Sequence, residues 1–169
     1  MKIAMASDHA GVNLKRAIKE LVTDMGHEVV DFGPENGEVV DYPDYVFRVA
    51  EMVRGGGADL GIFPCGSGLG PCIAANKVSG IRAVTCHDVF SARCSRRDNN
   101  ANLLTMGERV IGLGAALEVV RAWIDEPFSF AERHQRRLDK ITAAEARYRA
   151  GVCADFSDGS SGPLETAEP

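Results

Sequence analysis

The 169-residue chain contains no apolar run approaching the ~18 to 20 residues needed to cross a bilayer, which excludes a helical membrane span. Its first residues, MKIAMASDHAG, hold too short an apolar stretch for a secretory signal and no plausible cleavage site. The expected location is the cytoplasm, with no membrane partner. An excess of basic charge is also missing: the net charge is −5 and the pI about 5.4. A general nucleic-acid footprint is therefore not expected. No CxxC or HxxxH pair occurs, and the five cysteines are odd in number and irregularly spaced. That argues against a disulfide framework and for a reducing compartment. It also argues against structural zinc, although Cys65, Cys72, Cys86, His87 and Cys94 fall within thirty residues. No metal is expected, and Cys72, Cys86 and Cys153 read as small packing residues. There is no internal repeat.

What is present is ordinary for a globular protein, 45% hydrophobic and 25% charged. Short apolar runs at 2–6, 28–32, 60–64, 81–86 and 103–106 read as strands. Between them lie stretches with apolar residues at helical spacing: 12–25, 41–54, from 70, about 90–97 and 113–125. Such alternation predicts an α/β fold, a three-layer doubly wound (Rossmann-like) sandwich around a five-stranded parallel sheet. Residues 132–150 add a strongly charged helix whose thin apolar stripe, Leu138, Ile141 and Ala144, suits packing on a second subunit. Residues 1–150 are expected to form one domain, and 151–169 a polar C-terminal tail.

Ligands of doubly wound sheets bind beyond the carboxyl ends of the strands. That rule selects Asp8, His9, Cys65 to Gly70, His87, Asp88 and the turn after Met106. Three chemistries compete for the segment GIFPCGSGLGPCIAANK at 61–77. A phosphatase loop needs an arginine six residues after its cysteine, where this chain has Pro71. A dinucleotide fingerprint needs GxGxxG, but the glycines are Gly66, Gly68 and Gly70, off the first strand and with no acidic partner at the expected place. The remaining reading is a small-substrate site. Glycine amides converge on one point and stabilise negative oxygen, and the following helix adds its positive end. Beside it, Cys65 has its thiolate favoured and becomes a competent base or nucleophile. A packing cysteine on a tight turn is the plain alternative. The clusters Arg93, Arg96, Arg97 and Arg133, Arg136, Arg137 read as solvated or interface charge, or as a mark of a small anionic ligand.

Seven blocks occur in order: SDHAG at 7–11, DYPDY at 41–45, CGSGLG at 65–70, IAANK at 73–77, GIRAV at 80–84, NNANLLTMGERVIG at 99–112 and RHQRRLDKI at 133–141. Together they make residues 1–148 resemble the ribose-5-phosphate isomerase B family, which also includes galactose-6-phosphate isomerase subunits. The resemblance implies aldose–ketose isomerisation of a phosphorylated sugar through a cis-enediolate, without metal or organic cofactor. Cys65 matches the base that moves a proton between C1 and C2, and Ser67 the hydroxyl that handles the sugar oxygen proton. The amides of Gly66, Gly68 and Gly70, with Asn99, match the enediolate stabilisers. Asp8, His9 and Tyr42 match sugar contacts; Arg109, Arg133 and Arg137 match a phosphate clamp, with His134 between its last two members. A subset of the family uses a glutamate where this chain has Pro71, so this chain looks like the cysteine type. The resemblance further implies a homodimer, or dimer of dimers, with shared active sites.

One position departs from the pattern. Ribose-5-phosphate isomerases of this family commonly carry a ring-opening histidine before the residue matching Asn99, and here it is Asp98. A pentose 5-phosphate is largely cyclic through O4 and needs acid–base help to open. A tetrose 4-phosphate carries its phosphate on O4 and cannot close that ring. Ribose 5-phosphate stays ahead as the expected substrate, with a tetrose 4-phosphate or a hexose 6-phosphate behind it. An inactive sugar-phosphate-binding paralogue and a thiol redox protein are the rivals from other classes. Intact Cys65 and Ser67 count against the first, and the lack of a resolving cysteine against the second.

Overall fold

A computed structural model of the chain describes residues 1–151; the expected tail, apart from Gly151, and Cys153 lie outside the described residues. Five strands alternate with helices: β1 Lys2–Met5, α1 Val12–Asp24, β2 Glu28–Asp31, α2 Tyr42–Arg54, β3 Leu60–Cys65, α3 Leu69–Ala75, β4 Ala83–Thr85, α4 Val89–Arg97, β5 Leu103–Gly107, α5 Leu113–Asp125 and α6 Glu132–Arg149. All pairings are parallel and the strand order is β2-β1-β3-β5-β4. The doubly wound sandwich expected from the alternation is therefore what forms. The last strand slips between β3 and β4, leaving the two short strands β2 and β4 at the edges.

Strand alternation sorts the core into two layers. Ile3, Met5, Leu60, Ile62, Leu104 and Met106 face α1, α4 and α5. Ala4, Phe63 and Leu103 face α2 and α3. The central strands β3 and β5 are buried along their whole length. That is why they read in sequence as continuous apolar runs rather than alternating ones.

Two boundaries differ from the pattern-based expectation. β4 begins at Ala83 rather than Ile81, because a side chain replaces the ladder there: Arg82 N–H donates to Asn102 Oδ1 at 2.8 Å. α4 begins one residue early at Val89, where Asp88 Oδ1 accepts the Ser91 N–H at 2.7 Å as an N-cap. Helix α6 does lean on its own chain. It buries His134 and Leu138, accepts the Gly80 N–H through Glu145, and donates from Arg149 to Ser79 Oγ, while Ile141 and Tyr148 stay exposed. Cys86 is buried, as expected of a packing cysteine, whereas Cys72 is only half-buried. Arg96 departs from the reading as surface charge: its guanidinium lies 5.3 Å from the Trp123 ring centroid and donates to the Ala101 carbonyl.

Candidate active site

Because every strand is parallel, the carboxyl ends of β1, β3 and β5 open on one end of the sheet. Cys65 closes β3 there, paired with Gly107 of β5 and 4% exposed. The chain then turns sharply into α3. Gly68 adopts φ +84°, and a Cβ there would come within 2.8 Å of Thr85 Cγ2, so a side chain is excluded twice over. This turn brings the Gly68 N–H onto Cys65 Sγ at 3.0 Å and the Leu69 N–H toward Ser67 Oγ at 3.4 Å. The Gly66 and Gly70 amides have no acceptor among the described residues.

Neighbouring elements surround this loop. The Glu108 and Arg109 amides donate to the Cys65 and Gly66 carbonyls at 2.8 and 3.2 Å. They thereby hold the Arg109 guanidinium beside Gly66, 3.6 Å from where its Cβ would stand. Tyr42, the first residue of α2, lays its ring across Gly70, where a Cβ would meet Cζ at 2.7 Å. From the end of β1, buried Asp8 accepts the Ala10 N–H at 2.8 Å while His9 is exposed. His87 Nε2 accepts the Gly107 N–H at 3.0 Å from the far side. Asp8, His9, Tyr42, Cys65, Gly66, Ser67, Gly68, Gly70 and Arg109 thus share one end of the sheet.

The other expected residues do not join them within the protomer. Helix α4 runs back toward the amino ends of the strands, so Asp98 and Asn99 sit where β5 begins. Asn102 fixes that end, its carbonyl accepting from Gly61 and its N–H donating to the Arg82 carbonyl. Ser129 N–H bonds the Arg97 carbonyl at 3.0 Å, which starts α6 at the same end. Arg133, His134 and Arg137 therefore accompany Asp98 and Asn99, with His134 Nδ1 3.7 Å from Asp98. The two groups are separated by the length of β5, whose five residues span roughly 13 Å.

The electrostatics correct one expectation. Burial pushes the Cys65 thiol above the ordinary cysteine range; the Gly68 and Ser67 amides oppose that but do not overcome it, and the Asp8 charge adds to the rise. The thiolate is not favoured in this protomer, because desolvation outweighs two amide dipoles. α3 adds little, being only seven residues long. Asp98 moves the other way. Its carboxyl is lowered, first by the Arg97 hydrogen bonds, Nε to Oδ1 at 2.8 Å and Nη2 to Oδ2 at 3.2 Å.

Two residues that shape the site were not singled out from sequence. Glu108 accepts the Leu14 N–H at 2.9 Å and Asn13 Nδ2 at 3.1 Å, tying the end of β5 to the start of α1 beneath the Asp8 loop. Nothing local in the sequence marks it. Lys15 is 3% exposed and holds Asp31. Its helical phase with Leu14, Ile18 and Val22 does place it on the apolar face of α1.

Against known proteins, the family described as Ribose/Galactose Isomerase matches residues 3–141. Ribose-5-phosphate isomerase B of Escherichia coli (strain K12) is 46% identical, over 86% of this chain and 97% of that protein. D-erythrulose-4-phosphate isomerase of Pectobacterium atrosepticum is 41% identical, over 76% of this chain and 85% of that protein. The solved structure of Clostridium thermocellum ribose-5-phosphate isomerase B superposes with a TM-score of 0.85 at 50% identity, covering 88% of this chain and 99% of that one. With the fold, the order of the motifs and these similarities in agreement, the chain belongs to the ribose/galactose isomerase family of sugar-phosphate isomerases and is an aldose–ketose isomerase.

Proposed function

We propose that Cys65 is the base of this isomerisation, carrying one proton between C1 and C2 of an open-chain sugar phosphate. The observation that supports this most directly is the placement of its sulfur at the end of β3, under the Gly68 amide and beside Ser67 and the unused Gly66 and Gly70 N–H groups. A thiolate there removes the C2 proton of the aldose, the electron pair flows to the C1 carbonyl oxygen, and the enediolate forms. Returning the proton to C1 gives the ketose. Ser67 carries the hydroxyl proton, and the glycine amides with Asn99 stabilise the oxygens. Asp8, His9 and Tyr42 hold the sugar; Arg109, Arg133 and Arg137 hold the phosphate. No metal or organic cofactor takes part.

This site is shared between protomers. Asn99, Arg133 and Arg137 sit a strand's length from Cys65 in their own chain, so a second copy presents them to it. A homodimer, or a dimer of dimers, with two such sites follows. The enzyme works in the cytoplasm on a phosphorylated sugar and binds no nucleic acid.

The leading substrate is ribose 5-phosphate, isomerised to ribulose 5-phosphate. A second reading is favoured by Asp98. Paired through both oxygens with Arg97 and kept ionised, it has no proton to give a furanose ring oxygen. An open-chain tetrose 4-phosphate avoids that step. The test is kcat/KM across tetrose, pentose and hexose phosphates for the wild type and Asp98→His. If ring opening limits the enzyme, the histidine raises kcat/KM on ribose 5-phosphate by about tenfold or more and leaves the tetrose unchanged. Equal or lower activity on ribose 5-phosphate removes the second reading.

A further inference from the structure

His134 lies between two arginines of the expected phosphate clamp, yet it is 5% exposed and both ring nitrogens are occupied by its own chain. Arg133 Nε lies 3.1 Å from His134 Nε2. A guanidinium has donors and no acceptor, so Nε2 must present its lone pair. The imidazole is then the neutral Nδ1–H tautomer, and Nδ1 donates to Ser129 Oγ at 2.7 Å. Ser129 is itself fixed: its N–H bonds the Arg97 carbonyl and its Oγ accepts the Ala131 N–H at 3.3 Å. A chain of bonds thus runs from the backbone at the end of α4, through Ser129 and His134, to one edge of the Arg133 guanidinium. The side chain of Arg133 is exposed, so its remaining N–H groups are left to meet an anion.

We propose that His134 is a positioning residue: it holds the Arg133 fork in its phosphate-binding direction and does not itself touch the substrate. The inference rests on the reading of Arg133 as a phosphate ligand. Its physical content is preorganisation. An unheld surface arginine loses rotamer freedom when it binds, and one already bonded through Nε has lost that freedom beforehand. The loss of this hold therefore appears in affinity and spares the proton transfer at Cys65.

Two substitutions separate the two ring nitrogens. Glutamine puts its amide at the Nε2 position and can accept from Arg133. Asparagine reaches only the Nδ1 position and can keep Ser129 alone. The experiment measures KM, kcat and the inhibition constant of inorganic phosphate in the wild type, H134Q, H134N, R133A and the H134N/R133A pair. H134Q is expected to stay within about twofold of wild type, while H134N raises both KM and the phosphate inhibition constant about five- to tenfold with kcat little changed. In the R133A background H134N adds nothing. Equal constants for H134Q and H134N, a fall in kcat in place of a rise in KM, or an undiminished H134N effect without Arg133 would each overturn the proposal. Should H134N fail to fold, H134Q decides: phosphate affinity more than about threefold weaker than wild type contradicts a retained hold. If R133A leaves phosphate affinity unchanged, the clamp reading itself has failed. If R133A weakens it and H134N does not, only the positioning role has.

Discussion

Replacing Cys65 by alanine is expected to lower kcat by about 10² to 10⁴-fold, the usual contribution of a positioned general base, or roughly 3 to 5 kcal/mol of barrier. The fold survives the change, since one buried sulfur atom is removed from a layer still filled by Ala4, Phe63 and Ala75. KM is expected to move little, because the proposed phosphate and sugar contacts come from other residues. The variant also loses exchange of the C2 proton with solvent, which reports the proton transfer alone. The pH dependence carries a sign. Burial and the Asp8 charge raise the Cys65 thiol, and the base works only when ionised. In the wild type kcat/KM therefore climbs with pH toward the alkaline side. Asp8→Asn removes one cause of the rise and moves that limb to lower pH, whatever it does to sugar binding. Near wild-type turnover by Cys65→Ala, with the fold intact, would remove the assignment.

The second large effect falls on stability. Asp31, at the carboxyl end of β2, accepts Lys15 Nζ at 2.8 Å, Lys19 Nζ at 3.0 Å and the Gly33 N–H at 2.9 Å. Lys15 also donates to the Pro34 carbonyl at 2.9 Å. Removing Asp31 leaves a buried ammonium without its counter-charge. Asp31→Ala is expected to cost about 3 to 5 kcal/mol, or roughly 10 °C in Tm for a domain of this size. Exchanging both partners, Lys15→Met with Asp31→Val, removes the orphaned charge and costs far less. Burial alone would raise the Asp31 carboxyl, but the hydrogen bonds from Lys15, Gly33 and Lys19 together hold it below its ordinary value. A depressed carboxyl stabilises the fold above the unfolded value, near pH 4, and loses that contribution as pH falls through the folded one. Denaturant titrations of wild type and Asp31→Ala therefore converge as the pH drops below about 4. A loss under 1 kcal/mol at neutral pH would show the pair to be dispensable.

These two residues also mark how far the sequence could be read. The sheet was legible because buried parallel strands and amphipathic helices leave different periods, and β3 and β5 are unbroken apolar runs. Their order was not, since nothing in the residues of β5 says that it inserts between β3 and β4. Cys65 and its glycines were legible as a turn beyond a strand end. The state of the thiol was not: the Gly68 amide suggested a favoured thiolate, and burial by β1 and β5, which comes from distant parts of the chain, reverses it. Position 98 could be seen to differ from the family pattern, but its partner Arg97 emerges only once the last residue of α4 and its C-cap are placed side by side. His134 shows the same limit, because its roles are set by Ser129 and Arg133 together and not by the motif it stands in.

In the proposed enzyme, one end of the sheet in one protomer works with the opposite end in another. Cys65→Ala and the double variant Arg133→Ala/Arg137→Ala are each expected to be nearly inactive when purified alone and assayed at low substrate. Refolded together in equal amounts, half of the dimers are hybrids, and each hybrid holds one site with both its cysteine and its arginines intact. The mixture should then recover about a quarter of wild-type activity per protomer. If the mixed sample stays as inactive as its parents while native mass spectrometry confirms the hybrids, Cys65 and the two arginines do not meet across a subunit interface.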